Sequence, residues 1–305
     1  MPHLINDGHP FRSFHAGALG LSRYELAELR RLRLVRPVFR GVVVDSRVDD
    51  TRLLRCQSLA LVLPTHGVIC HSSAAWARKI DGFQPKDRFL LTPQCMVPHG
   101  TSRSRHAGVS CIEGYLADSD VEIVEGVPMT TCERTTVDLM RRLRRPYAMS
   151  VADAMVRAEL VTIEELTSRI RRLKRYPGIR QARELVLLID PRAESPGESW
   201  LRLRLVDAGF PFPRPQYEVI DHRGRVIARI DLAYAEIRLA MEYDGEEYHS
   251  HDEDRSHDEE RRDLLSDAYG WRVEPAGKAD ILGSDTSYEE RIGKLLGIDP
   301  LPRFW

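Results

Sequence analysis

The sequence predicts a multidomain α+β protein. A winged helix-turn-helix-like head occupies residues 1–50, an α+β middle domain 51–190, and a third domain 195–305. Three observations carry this reading. A chain of 305 residues is long for one hydrophobic core. Helical and strand-like hydrophobic spacings are interspersed along it. A polar stretch with two prolines, Asp190 to Pro196, separates the last part from what precedes it.

In the head, Ser22 and Glu25 have capping-box spacing, and Leu26, Leu29 and Leu32 then recur on one helical stripe. Val35-Arg36-Pro37-Val38-Phe39-Arg40-Gly41-Val42 reads as a β-hairpin or wing. A short helix, a turn, a second helix and a basic hairpin fit a winged helix-turn-helix, with Arg23, Arg30, Arg31, Arg33, Arg36 and Arg40 as candidate nucleic-acid contacts. A small α/β cap with solvated arginines fits the same residues.

In the middle part, helices are expected at about 51–63, 74–79, 131–143, 148–160, 162–173 and 179–188. Short strands are expected at 88–92, 108–113 and 121–124. His66, His71, His99 and His106 stand isolated, which fits surface or structural histidines better than a catalytic set.

From Gly197 the predicted order is helix, strand, strand, helix, strand. Glu198 opens an amphipathic helix, and strands follow at 217–220, 226–234 and 237–243. A tight turn near Ala235-Glu236 sets Asp231 opposite Glu242, where cross-strand β-carbons lie about 4.5–5.5 Å apart. Two carboxylates that close repel each other unless a cation lies between them, and both sit in apolar strand sequence. That pairing calls for a hard, oxygen-seeking ion such as Mg²⁺ or Mn²⁺.

Composition narrows the classes. No apolar run is long enough to cross a bilayer, and the amino terminus has no secretory pattern. The five cysteines are scattered without a Cys-x-x-Cys pair, so reduced thiols in a cytoplasm are expected. Residues 1–190 carry 29 Lys and Arg against 21 Asp and Glu, and the remainder 16 against 25. A basic front on an acidic back suits a DNA-contacting part joined to a cation-gathering one.

The ordered set Glu198, Ile230-Asp231-Leu232, Glu242-Tyr243-Asp244-Gly245, His249, Asp258-x-x-Arg261 and Gly270-Trp271-Arg272-Val273 resembles the PD-(D/E)XK nuclease superfamily. Within it, the resemblance is to the branch similar to very-short-patch repair endonuclease, and it covers about residues 195–280. It implies a restriction-endonuclease-like α/β/α domain. Asp231 and Glu242 would ligate the metal and Glu198 would support them. His249 would orient or deprotonate the attacking water, and Arg261 or Arg262 would hold a phosphate. Asp244 stands where the superfamily usually has lysine, so proton transfer falls to His249, whose ordinary pKa of about 6.5 suits it.

The front of the chain, through Gly20-Leu21-Ser22, Arg40-Gly41-Val42, His71-Ser72-Ser73-Ala74-Ala75-Trp76 and Thr131-Cys132-Glu133-Arg134-Thr135-Thr136-Val137-Asp138-Leu139, resembles AbiEi-type antitoxins. That resemblance covers about residues 10–190. It implies DNA and a cognate toxin as partners. Two readings therefore stand: a DNA-directed, metal-dependent endonuclease, and an antitoxin or autoregulator whose nuclease fold only binds.

Overall fold

The computed structural model describes residues 4–80, 91–101, 108–245 and 265–305. The chain forms two units, Met1–Leu139 with Ser168–Arg172, and Met140–Thr167 with Leu173–Trp305.

In the first unit, β1 (Phe11–Arg12), β2 (Val35–Phe39) and β3 (Val42–Asp45) make an antiparallel sheet in the order β1-β3-β2. Ser13–Leu19 is a 3₁₀ turn where an α-helix was expected. Gly20, at φ +75°, ends it in a left-handed conformation that favours glycine. Helix α1 (Arg23–Arg31) begins at the predicted capping box: the Glu25 amide donates to Ser22 Oγ at 3.1 Å, and the Ser22 amide to Glu25 Oε2 at 2.8 Å. Leu26 packs with Phe11, Ala16, Val35 and Val43.

Asp45 pins this sheet. It is buried and accepts from the amides of Ile5 and Arg47 and from the Arg47 guanidinium. The Arg47 side chain, with those amides, holds the Asp45 carboxyl well below the usual carboxylate range. A depressed pKa contributes stability that is present above the unfolded value near 4 and is lost as pH falls through the folded value. Asp45→Asn is therefore expected to lower stability at pH 7 by about 1–2 kcal/mol, discounted because Arg47 is half exposed. The gap to wild type should shrink below pH 4, which urea midpoints at pH 7 and pH 3 would measure.

The rest of the unit is built on β4 (Val68–Ile69), β5 (Gln94–Val97), β6 (Ser110–Glu113), β7 (Val121–Val124) and β8 (Val127–Thr130). They form a five-stranded mixed sheet in the order β6-β5-β4-β8-β7. Helices α2 (Arg52–Ala60) and α3 (His71–Ala77) cover it through Cys56, Leu59, Ala74 and Ala77, packed against Ile69, Cys95 and Met129. Of the strand expected at 88–92, residues 88–90 lie outside the described residues, as do 81–87; residues 91–93 are not in a strand, and β5 begins at Gln94. None of the five cysteines is in a disulfide, and burial, with Cys111 beside it, pushes the Cys95 thiol up to about 12. Buried thiols of this kind act as small apolar side chains.

Helix α4 spans Cys132–Arg142. It is followed by α5 (Arg145–Arg157), α6 (Ile163–Arg172), α7 (Ile179–Leu185) and α8 (Pro196–Asp207). In the second unit α5 and α8 share an apolar seam, in which Trp200 meets Tyr147 edge-on and donates to Ser150 Oγ. The same seam buries an ion pair, Arg202 with Asp153, at 2.5 Å with both side chains fully covered.

In the second unit's sheet, β9 (Arg214–Ile220), β10 (Val226–Tyr234) and β11 (Leu239–Asp244) form an antiparallel meander. β12 (Arg272–Gly277) lies parallel to β11, which gives the order β12-β11-β10-β9. Two helices, α9 (Lys278–Leu282) and α10 (Ser287–Leu296), were not predicted from the sequence. With α8 they bury Leu232, Tyr234, Leu239, Met241 and Ala276. A second cluster holds Val219, Ala228, Ile230, Ala233, Ala240, Leu265 and Trp271. The carboxy-terminal residues are tied down. Arg204 is buried under the Trp305 ring and donates to the Ile281 and Trp305 carbonyls, and burial, helped by nearby Arg303, brings its pKa down to about 10.

Candidate functional site

The hairpin β10–β11 builds the carboxylate site. Its connection is a 3₁₀ turn at Ala235–Ile237, closed by Arg238 in a left-handed conformation. Paired residues are Tyr234 with Leu239, Ala233 with Ala240 and Leu232 with Met241. One further step of that register sets Asp231 against Glu242. The ladder stops just short of it: the Tyr243 amide donates to Asp231 Oδ2 at 2.9 Å, so a side chain takes the place of a main-chain acceptor.

Side chains alternate along a strand, so Glu242 and Asp244 leave β11 on the face opposite Met241 and Tyr243. Along β10 the alternation is interrupted at Asp231: Ile230 joins Ala233 and Ala240 in the Trp271 cluster, while Leu232 joins the other cluster. Glu242 and Asp244 are thus presented on one face of the sheet, and Asp231 lies across from Glu242 by register. Glu242 is only 3% exposed; Asp231 and Asp244 are half-buried.

Gln216 extends this row onto β9, where the pairings of Ile230 with Tyr217 and Leu232 with Pro215 bracket it opposite Asp231. Its φ of +51° is a strained conformation for a non-glycine residue. Gln216 Nε2 donates to Glu198 Oε2 at 2.7 Å, and the Glu194 amide donates to the same oxygen at 2.9 Å. Glu198 is buried in the first turn of α8, whose N-cap is Ser195. Gly197 lets that turn approach β11: a β-carbon there would lie 2.1 Å from the Tyr243 ring. The Glu198 helix and the carboxylate hairpin are therefore locked together, and Gln216 is a member that sequence reasoning missed. Nothing in a lone glutamine in a strand announces a positive φ.

Among the described residues, no group of three or more His, Cys, Asp and Glu is gathered as a metal-holding set. The described donors that suit a hard cation are Asp231 and Glu242. Mg²⁺ sites commonly use one or two carboxylates, the remaining positions going to water and phosphate. His249, Arg261 and Arg262 lie outside the described residues, as do the histidines and aspartates at 251–258.

The arginines of the head separate into two groups. Arg31 pairs with Glu28 through two hydrogen bonds, and Arg36 donates to the Val48 carbonyl. Arg33 is exposed, at φ +55° just past α1. Arg23, Arg30 and Arg40 line a cleft of about 510 Å³.

A buried polar network lies elsewhere in the first unit. Asp120 accepts from Arg134 and from Arg169, each at 2.6 Å, and Arg134 also donates to Asp138. His71 Nε2 is 3.9 Å from Asp138 Oδ2, and its Nδ1 is 3.4 Å from Cys70 Sγ. Ser73 Oγ accepts from the Gln94 amide, and Trp76 stacks under Arg55. The two motifs around His71 and Arg134 thus meet in the interior, where they join helices to the five-stranded sheet.

A family model for the AbiEi antitoxin C-terminal domain matches residues 67–188, the span that holds this network. Uncharacterized proteins from two Mycobacterium tuberculosis strains, CDC 1551/Oshkosh and ATCC 25618/H37Rv, are each 34% identical over 259 residues. The match covers 85% of this chain and 91% of each relative. The chain belongs to the family of these mycobacterial proteins. Within this family member the AbiEi-type segment is flanked by the head and by the carboxylate hairpin. Among the described residues, no helix is long and apolar enough to cross a membrane.

Proposed function

We propose that this family member is a DNA-binding protein whose carboxy-terminal unit is of the PD-(D/E)XK type and hydrolyses phosphodiester bonds with Mg²⁺ or Mn²⁺. The observation that carries the reading is the row Gln216–Asp231–Glu242, with Glu198 bonded to its end and Asp244 on the face of Glu242. A buried carboxylate is costly unless it is paired or coordinates a cation, and such groups cluster at functional sites. Asp231 and Glu242 would hold the ion, and Glu198 would fix the β9 end of the row through Gln216. When bound, the ion polarises the scissile phosphate and lowers the pKa of attacking water. Asp244 stands where the superfamily pattern has lysine, so His249 is assigned the water, as the sequence resemblance implies. Exposed arginines of the head supply affinity through phosphate contacts.

The AbiEi match favours a second reading, an antitoxin or autoregulator with a cognate toxin, in which the carboxy-terminal unit binds without cutting. Supercoiled plasmid and short duplexes incubated with Mg²⁺, Mn²⁺ or EDTA separate the two. Metal-dependent nicking supports the first reading; tight DNA binding without nicking in any metal supports the second.

A further inference from the structure

The cleft that the head forms with Val62, Pro93 and Val109 has a composition that phosphate contacts alone do not explain. Arg12, Ser13, Phe14, Arg23, Arg30 and Arg40 line it. Its volume of about 510 Å³ falls within the roughly 300–1,000 Å³ typical of small-ligand sites. Arg30 donates to Ser13 Oγ at 2.7 Å, which fixes its guanidinium at the wall. Arg23 and Arg40 are exposed, and no carboxylate among the described residues pairs with them. Guanidinium groups left unneutralised around one cleft match the oxygens of a phosphate. Phe14 lies at the same cleft and is 82% exposed; among the described residues its ring meets one aromatic neighbour, the exposed His15. An exposed ring at the same cleft as these arginines is the pairing that holds a base and its phosphate together.

We propose that this cleft receives one unpaired nucleotide of a single-stranded nucleic acid, the phosphate on Arg23, Arg30 and Arg40 and the base stacked on Phe14. A duplex backbone satisfies the arginines but keeps its base faces stacked on each other, and so leaves Phe14 without a partner. The proposal rests on reading the head as a nucleic-acid contact and narrows it to unpaired strands or ends.

Fluorescence anisotropy of the full chain in EDTA, with a labelled single strand and the matching duplex, tests it. The single strand should bind more tightly. Phe14→Ala should weaken single-strand binding on the order of 10- to 100-fold and leave duplex binding unchanged, while Phe14→Trp restores it. Arg23→Gln with Arg40→Gln should lower the slope of log K against log salt by about 0.7, from the loss of the one single-strand phosphate contact. The circular dichroism melt of each variant should match wild type, because these side chains are exposed. Single-strand binding that is absent, weaker than duplex binding, or unaffected by Phe14→Ala overturns the proposal. So does tight capture of free adenosine monophosphate without strand binding, which would make the cleft a nucleotide receptor. Binding in EDTA reads the head and cleavage in Mn²⁺ reads the carboxylate row, so failure of either reading is visible without the other.

Discussion

Asp231→Asn and Glu242→Gln are each expected to lower metal-dependent cleavage on the order of 10²- to 10³-fold, while binding of DNA in EDTA persists. The magnitude is that of removing one strong electrostatic stabiliser from a preorganised site. The amide substitutions are more informative than alanine. Asp231 Oδ2 accepts the Tyr243 amide at the point where the β10–β11 ladder ends. Asparagine retains an oxygen for that amide and removes only the charge; alanine also strips an acceptor from a half-buried donor, which costs about 1–3 kcal/mol. Loss of cleavage in Asp231→Asn with an unchanged melting temperature isolates the chemistry. Equal cleavage by wild type and both variants would sink the nuclease reading and leave the regulator.

Asp153→Ala is expected to lower the stability of the second unit by about 3–5 kcal/mol, the largest structural effect expected in this chain. Arg202 and Asp153 are both fully covered, and Asp153 also accepts the Asp190 amide at 2.9 Å. Arg202 spends another donor on the Leu188 carbonyl. Removing the aspartate strands a guanidinium in the interior, where hydration cannot reach it. The double substitution Asp153→Leu with Arg202→Met should be markedly less harmful than Asp153→Ala, because a neutralised pair costs less than a broken one. Denaturant midpoints of wild type and these two variants decide this. A double substitution no less harmful than Asp153→Ala would show that the pair is not coupled. Arg202 lies one turn along α8 from Glu198, so the single variant should also loosen the Glu198–Gln216 contact that closes the carboxylate row.

Much of the carboxylate hairpin is legible in the amino-acid sequence. Strand 226–234 has the bounds its apolar spacing predicts, and the short connection after Tyr234 sets the register. In a hairpin, pairing is a local matter: alternate side chains and the length of the turn leave few registers open. The Ser22–Glu25 capping box is legible for the same reason, since both partners lie within one turn. Strands β4 and β8 are not. β4 has two residues, and it pairs with residues near 95 and 129, so no local period marks it.

The amino-acid order by itself determined the run of helices between residues 131 and 188 and where the Asp231–Glu242 hairpin turns. These follow from periodicity and turn chemistry acting over a few residues. Tertiary structure alone decided which charges leave solvent. From the sequence, the histidines of the middle part read as surface or structural groups and nothing marks its arginines, yet Arg134, Asp120 and Asp138 cross-link the interior, and Arg202 is fully covered. It also decided that Gln216 reaches Glu198, and that Arg23, Arg30 and Arg40 line one cleft while Arg31 and Arg36 are spent on Glu28 and Val48. A charge's fate depends on what a distant segment brings to it, and desolvation acts on the assembled surroundings, which no window of neighbouring residues contains.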